Sequence, residues 1–298
     1  MGKKLLKAAL IYDFDGTLSP GNMQEYGFIK ATGLDSKTFW EKNSGIAEKQ
    51  EASNILCYMK LMVDQAKNAE ISITEKDLNS YGKDVELFDG LDTWFKNIND
   101  YGNKKGVKIL HYINSSGLKE IIEGTPIAKY FTKIYACSFI YSPEGAPIWP
   151  AVAVDFTAKT QFLFMINKGI KDIRENNKVN EFTPENKRPH PFKNMIYFGD
   201  GSTDIPCMKL VKQQGGHSIA VYDSKKNGKK AKATKLIKEN RVNFVCPTLY
   251  TKDGEIYKVV TTIIDKIKSD YEFDQLLDKH KKKIKEKVPE STKKSSID

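Results

Sequence analysis

Cysteine is scarce in this chain. Only Cys57, Cys137, Cys207 and Cys246 occur among its 298 residues, and no C-x-x-C pair or short spacing suits a zinc site or a disulfide framework. A reducing cytoplasm is the setting this predicts. Long apolar runs are missing too: nothing approaches the ~20 consecutive residues that cross a bilayer. Lys3, Lys4 and the apolar residues 5–12 resemble a leader, but Lys7 interrupts the run and Asp13 ends it before any small-residue cleavage site. Leu6 stands where N-myristoylation wants Ser or Thr, so the segment reads as a buried strand. The histidines His111, His190, His217 and His280 show no metal spacing and read as structural or surface groups. No G-x-S-x-G, H-E-x-x-H or P-loop occurs, and no internal repeat is visible.

What is present is an ordinary globular composition, 40% hydrophobic and 29% charged, which excludes a disordered, collagen-like or membrane-spanning chain. The length suits one domain with a sizeable insertion, or two domains. The net charge of +10 is localised. Residues 224–241 hold eight basic groups against Glu239, and residues 279–298 hold eight lysines against three acids, leaving the rest slightly acidic. Lysine runs on helices and tails are ordinary solvated surface, so the charge does not by itself indicate nucleic-acid binding.

Ala8 to Tyr12 is an unbroken apolar run stopped by Asp-Phe-Asp-Gly-Thr, the pattern of a buried parallel strand ending in a loop. From Pro20 to Leu87 apolar residues such as Phe28, Phe39, Trp40, Ile55, Leu56, Met59 and Val63 recur at helical intervals, with loops expected at Gly33 and Gly45. A helix around Trp94, Phe95 and Ile98 and a strand over 107–113 follow, ending at Asn-Ser-Ser-Gly. A hairpin or flap is expected over 134–154, then a helix over 158–167, then a polar segment, 171–193, too poor in apolar residues to be core. The strand 195–198 closes on Gly-Asp-Gly-Ser-Thr-Asp, and a helix, a strand at 218–222, a basic helix, a strand near Phe244 and a helix over 259–267 complete the chain. The fold class expected is α/β, a Rossmann-like parallel sheet core with a mainly helical cap, whose ligands bind beyond the carboxyl ends of the strands. The expected boundaries are a core of 1–19 and 88–278, a cap of 20–87, and a flexible Lys-rich tail of 279–298.

Three strand ends carry groups suited to phosphoryl transfer. Asp13 and Asp15 share a side of an extended or turning segment, and two carboxylates so close call for a cation or a proton. Mg²⁺, a hard ion that prefers oxygen ligands, answers that need. The segment Gly199-Asp-Gly-Ser-Thr-Asp204 fails as a dinucleotide fingerprint because Asp204 stands at the third glycine position. It offers instead a tight turn, a helix cap at Ser202 or Thr203, and the carboxylates of Asp200 and Asp204. Ser115-Ser116-Gly117 offers a hydroxyl and backbone N–H groups for a phosphate oxygen, and Lys159 adds positive charge. Singly, each is commonplace: a solvated Asp-Gly turn, an acidic helix start, a Ser-Ser-Gly turn, a surface lysine.

Together, in this order from Leu10 to about Met208, the four elements resemble the haloacid dehalogenase superfamily of phosphatases and phosphotransferases, most closely its phosphoserine-phosphatase-like members. The resemblance implies that Asp13 is the nucleophile forming an aspartyl-phosphate and Asp15 the general acid and base. It implies that Ser115 and Lys159 act with them, that Gly16, Thr17, Ser116 and Gly117 surround the phosphate, and that Mg²⁺ is held by Asp13, Asp200 and the backbone carbonyl of Asp15. Asp204 is then left to support the metal or orient Lys159. Dehalogenases of the superfamily lack the second aspartate, so halide removal is not expected. The interval of 102 positions from Asp13 to Ser115 exceeds the 44 from Ser115 to Lys159, which places the cap in the first interval and only a flap in the second.

The sequence departs from the phosphoserine-phosphatase pattern at three places. Asn22 replaces a substrate-binding Glu, Gly16 replaces a Ser, and S-S-G replaces S-G-G. The expected activity is Mg²⁺-dependent hydrolysis of a small phosphorylated metabolite, with phosphoserine itself in question and no membrane or nucleic-acid partner. A phosphotransferase or phosphomutase using the same site is one rival, and a basic nucleic-acid-binding protein with a vestigial site is another. The sequence does not set the oligomeric state.

Overall fold

The computed structural model describes residues 5–287. Its strands are β1 (Leu6–Tyr12), β2 (Val107–Leu118), β3 (Phe131–Tyr141), β4 (Pro147–Val152), β5 (Met195–Gly199), β6 (His217–Tyr222) and β7 (Phe244–Pro247). They form one sheet in the order β4-β3-β2-β1-β5-β6-β7. Every pairing is parallel except β3 with β4, which is the expected hairpin. The α/β class read from the alternation of strands and helices is the one observed. Residues 8–12 of β1 are fully buried, as a central parallel strand covered on both faces requires. Tyr12 is level with Ile113 of β2 and with Phe198 of β5, so Asp13, Asn114 and Gly199 stand at one level along the rim of the sheet.

The helices are α1 (Phe28–Ala31), α2 (Ser36–Gln50), α3 (Asn54–Asn68), α4 (Glu75–Tyr81), α5 (Leu91–Lys104), α6 (Lys119–Glu123), α7 (Ala158–Lys168), α8 (Ile205–Gln213), α9 (Lys229–Lys238) and α10 (Glu255–Lys287). The helices α1 to α4 all lie between β1 and β2. Asp35 caps α2 through the N–H of Thr38, Ser53 caps α3 through that of Ile55, and Thr74 and Asp77 form a reciprocal capping box on α4. An aromatic chain holds this insertion together: Phe28 meets Phe39 and Tyr81, Phe39 meets Trp40, and Trp40 meets Tyr58, all edge to face at 5.1 to 6.4 Å. The insertion is tied down by α4 against α6 and by α3 against β4.

Several elements differ from the sequence expectation. Gly45 lies inside α2 rather than in a loop. A mid-helix glycine costs roughly 1 kcal/mol, and a capped 15-residue helix packed on α3 absorbs that. Leu56 is exposed although Phe28, Phe39 and Met59 around it in the pattern are buried. The polar segment 171–193 ends in core after all, because Phe192 and His190 are buried. Strand β2 runs on through the Ser-Ser-Gly segment, and α10 continues to Lys287. Residues 279–287 of the expected tail are therefore helical, with exposed side chains over 279–284, while 288–298 lie outside the described residues. Among the described residues no helix is long and apolar enough to cross a membrane.

Behind the rim, a polar chain is buried in the core. Trp94 Nε1–H donates to the Tyr12 hydroxyl at 3.0 Å. Tyr12 in turn meets Nδ1 of His111 at 3.1 Å, and Nε2 of that ring meets Asn99 Oδ1 at 3.1 Å. A neutral imidazole carrying its proton on Nε2 satisfies both contacts. Burial holds His111 down at about 3. The unfolded chain therefore binds a proton near 6.5 that the folded chain refuses until about 3, so stability present above the upper value is lost as pH falls through the window. We expect His111 to contribute a slope of about 1.4 kcal/mol per pH unit there. Urea titrations of wild type and His111→Gln at several pH values between these limits test it; parallel slopes would remove His111 as the cause.

Candidate active site

The first loop is wound tightly onto its own aromatic anchor. Thr17, Leu18 and Ser19 all donate N–H bonds to the carbonyl of buried Phe14, and Gly16 N–H donates to Ser19. Gly16 sits at φ +74°, a conformation costly to any residue with a Cβ. The hydroxyl of Tyr250 donates to the Thr17 carbonyl at 2.7 Å, and Asp13 N–H donates to Phe198 at 2.9 Å, so the loop is pinned to both neighbouring elements.

The second loop is an irregularity of β2. Between Asn114 and Leu118 the register with β3 shifts, which frees 115–117 from the ladder at the sheet rim. Ser115 Oγ accepts from Gly117 N–H at 3.0 Å, leaving its own hydrogen free to donate. Ser116 Oγ is buried without a hydrogen-bond partner, and Tyr58 reaches from α3 to the Ser116 carbonyl at 2.8 Å.

Lys159 joins the first and third loops. Fully buried at the start of α7, its ammonium donates to Asp13 Oδ1 at 2.9 Å and to Asp204 Oδ1 at 2.7 Å. Asp204, also fully buried, takes further bonds from the Tyr197 hydroxyl and Gly201 N–H. Burial would lower the lysine's pKa, but the two carboxylates outweigh it and hold the group charged. Burial and then the Asp204 carboxylate push Asp13 up to about 7 against the pull of Lys159. Asp15 is held well above the usual carboxylate range, by burial first and then by the charge of Asp13, with the Met23 N–H bond at 3.0 Å opposing.

Asp13, Asp200 and Asp204 each place an oxygen within 4.8 Å of the others. Three carboxylates converging on one point suit a hard divalent cation, and Mg²⁺ with its small number of carboxylate ligands and retained waters is the ion such a set fits. The Asp15 side chain stands outside this trio, engaged by Met23. Lys229, at the start of α9, donates to Asp200 at 2.8 Å, so a protein cation is already drawn to the cluster.

A cavity of about 490 Å³ opens over these loops. Asp13, Asp15, Ser115, Ser116, Gly117, Lys159 and Asp200 line it; Gly16, Thr17 and Asp204 do not. Gly16 instead lies against Asp200, where a methyl group would overlap the carboxylate. Sequence reasoning missed Lys229, Tyr197, Tyr58 and Asn114, whose side-chain amide holds the carbonyl of Lys159 at 3.0 Å. Asn114 carried a signal, since it directly precedes the Ser-Ser-Gly segment. Tyr197 reads as strand core, and Lys229 is one of many lysines.

No protein-family model matches the chain. A protein of Borreliella burgdorferi, described only as uncharacterized, is 32% identical over 278 residues, covering 84% of this chain and 93% of that one. The structure of a phospho-aspartyl intermediate analogue of phosphoserine phosphatase has the same fold. It is 15% identical, with a TM-score of 0.50 over 86% of this chain and 99% of that one. A substrate-bound phosphoserine phosphatase complex is 12% identical, with a TM-score of 0.49 over 86% of this chain and 98% of that one.

The contact between Gly16 and Asp200 gives a test of the loop. Gly33 shares the same backbone, φ +76°, with open space around it. Gly33→Ala should cost about 1 kcal/mol for strain alone, whereas Gly16→Ala should cost at least about 1 kcal/mol more because the Asp200 carboxylate must move. Equal losses in urea denaturation would show that Asp200 yields freely.

Proposed function

The chain belongs to the family of the Borreliella burgdorferi protein and shares its fold with a phosphoserine phosphatase, and on that premise we propose that it is a Mg²⁺-dependent phosphomonoester hydrolase of the haloacid dehalogenase superfamily. The observation that carries the reading is the buried lysine spanning Asp13 and Asp204 at the mouth of the sheet, with Asp15 two residues on and its proton affinity raised by burial. In this reading residues 20–87 are the cap over a core of 1–19 and 88–278. Four buried free thiols suit a reducing compartment, and the cytoplasm is the location we propose.

In the first step an Asp13 carboxylate oxygen attacks phosphorus, forming an acyl phosphate as the ester P–O bond breaks. Asp15, whose proton affinity burial raises, gives its proton to the leaving alkoxide. In the second, Asp15 takes a proton from water, whose oxygen attacks phosphorus and returns Asp13 and inorganic phosphate. One difficult displacement becomes two easier ones. Ser115, with its free hydroxyl hydrogen, and Ser116, with its unpartnered hydroxyl and backbone N–H, hold the phosphoryl oxygens. Lys159 balances Asp13 and stands by the charge that develops on the equatorial oxygens. Bound Mg²⁺, held by Asp13 and Asp200 with support from Asp204, would supply the divalent charge that orients and neutralises the phosphoryl group.

With an aryl phosphate and Mg²⁺, phosphate should appear without any acceptor, and chelation should silence the reaction reversibly. Asp13→Asn should lose more than about a thousandfold in turnover while keeping the fold. Asp15→Asn should lose about a hundredfold or more on alkyl phosphates and much less on aryl phosphates, whose leaving groups need no proton. Retained activity in Asp13→Asn would end the covalent mechanism, and release that waits for an added acceptor would make the protein a phosphotransferase.

A further inference from the structure

The two walls of the cavity differ in kind. On the strand-end side stand all its charged groups, Asp13, Asp15, Lys159 and Asp200. The other wall, from residues 22–58, is neutral and rich in carboxamides: Asn22, Gln24, Asn43 and Asn54, beside the rings of Trp40 and Tyr58. Gln24 is 2% exposed and Asn43 4% exposed, yet Gln24 Oε1 and Asn43 Oδ1 have no hydrogen-bond partner from the protein. A buried carbonyl left unmatched costs about 1–3 kcal/mol, and both residues face a space of about 490 Å³, within the range of small-molecule sites.

The carboxylate nearest this wall is already engaged. Glu25 Oε1 accepts from Trp40 Nε1 at 2.7 Å and from Asn22 Nδ2 at 2.6 Å, and Glu25 does not line the cavity. An amino-acid phosphate would bring an ammonium and a carboxylate into this space. The ammonium would find no carboxylate on the neutral wall, and the carboxylate would face Asp13, Asp15 and Asp200 with no cation to spare, because Lys159 is held between Asp13 and Asp204 and Lys229 on Asp200. Desolvating either charge without a partner is costly. A hydroxyl both donates and accepts, and so does a carboxamide; a row of carboxamides therefore matches a row of hydroxyls, with the aromatic rings left for the C–H faces.

We propose that the group esterified to the phosphate is an uncharged, hydroxyl-bearing chain or ring, making the substrate a sugar or polyol phosphate, and that Gln24 and Asn43 are the residues that select it. This rests on the phosphatase reading of the same site. The test compares kcat/KM of the full chain with Mg²⁺ on an aryl phosphate, hexose phosphates, glycerol phosphate, sorbitol phosphate, phosphoserine and phosphoethanolamine. At least one sugar or polyol phosphate should exceed phosphoserine and phosphoethanolamine by about tenfold or more. Gln24→Met and Asn43→Leu should each lower the ratio of that substrate to the aryl phosphate by about tenfold, mainly through KM. Gln24→Glu, which keeps the side chain's shape and adds a charge, should move the preference toward phosphoethanolamine, and it reports even if the apolar variants fail to fold. Hydrolysis of the aryl phosphate with phosphoserine or phosphoethanolamine preferred, or with the ratios unmoved in the variants, overturns this inference and leaves the phosphatase reading standing. No hydrolysis of the aryl phosphate overturns both.

Discussion

A single buried ammonium holds the rim of this sheet in order. Moving a lysine head from water into a protein interior costs several kcal/mol after relaxation, and the cost is recovered only with close, well-placed counter-charges. Lys159 has two, at 2.9 and 2.7 Å. Those carboxylates depend equally on it: Asp13 and Asp204 are buried near each other and near Asp200, and the charge of Asp204 raises the proton affinity of both Asp13 and Asp200. The position of Lys159 is fixed from behind by Asn114, which binds its carbonyl, and the position of Asp204 by Tyr197 and Gly201. Residues from β1, β2, β5 and α7 thus converge on one charge balance. With Lys229 counted, two ammonium groups face the three carboxylates of the cluster, those of Asp13, Asp200 and Asp204. That surplus of negative charge is what the proposed divalent cation would relieve.

Much of this was legible because the chemistry is local along the chain. A buried parallel strand shows itself as an apolar run, and a site at the strand ends puts its polar residues directly after that run. Asp13, Asp15, Asp200 and Asp204 could be read for that reason, as could the hairpin over 134–154. The features that were not legible depend on contacts distant in sequence. The pairing of Lys229 with Asp200 spans 29 residues and that of Tyr250 with Thr17 spans 233, and neither leaves a local mark. Gly45 misled in the opposite way, since a strong local signal for a loop was overridden by the capped helix around it. The buried end of the polar segment 171–193 escaped notice because only Phe192 and His190 turn inward, too few to set a period.

The division of the cavity follows from the same physics. Charges are tolerable at the strand ends because rigid elements hold each one against an opposite charge or a backbone N–H. The helical insertion puts no charged side chain on the cavity wall, and the carboxylate of Glu25 behind that wall is engaged by two side-chain donors. What remains for this insertion to offer at the cavity wall is neutral hydrogen bonding. Carboxamides do this without the desolvation cost of a charge, and their paired donor and acceptor groups make orientation, more than attraction, their contribution.

Met23 connects the two walls. Its N–H binds Asp15 Oδ1, its sulfur accepts from Leu118 N–H at 3.2 Å, and its methyl fills the space that a side chain at Gly117 would need. One fully buried residue therefore touches the first loop, the second loop and the end of β2. Gln24 is the next residue in the chain. One peptide thus separates Gln24 from the N–H that holds the carboxylate of Asp15. The residue proposed to select the substrate's organic part therefore stands next to the residue that holds the proposed proton donor. In that proposal, recognition and proton delivery share one short turn of backbone.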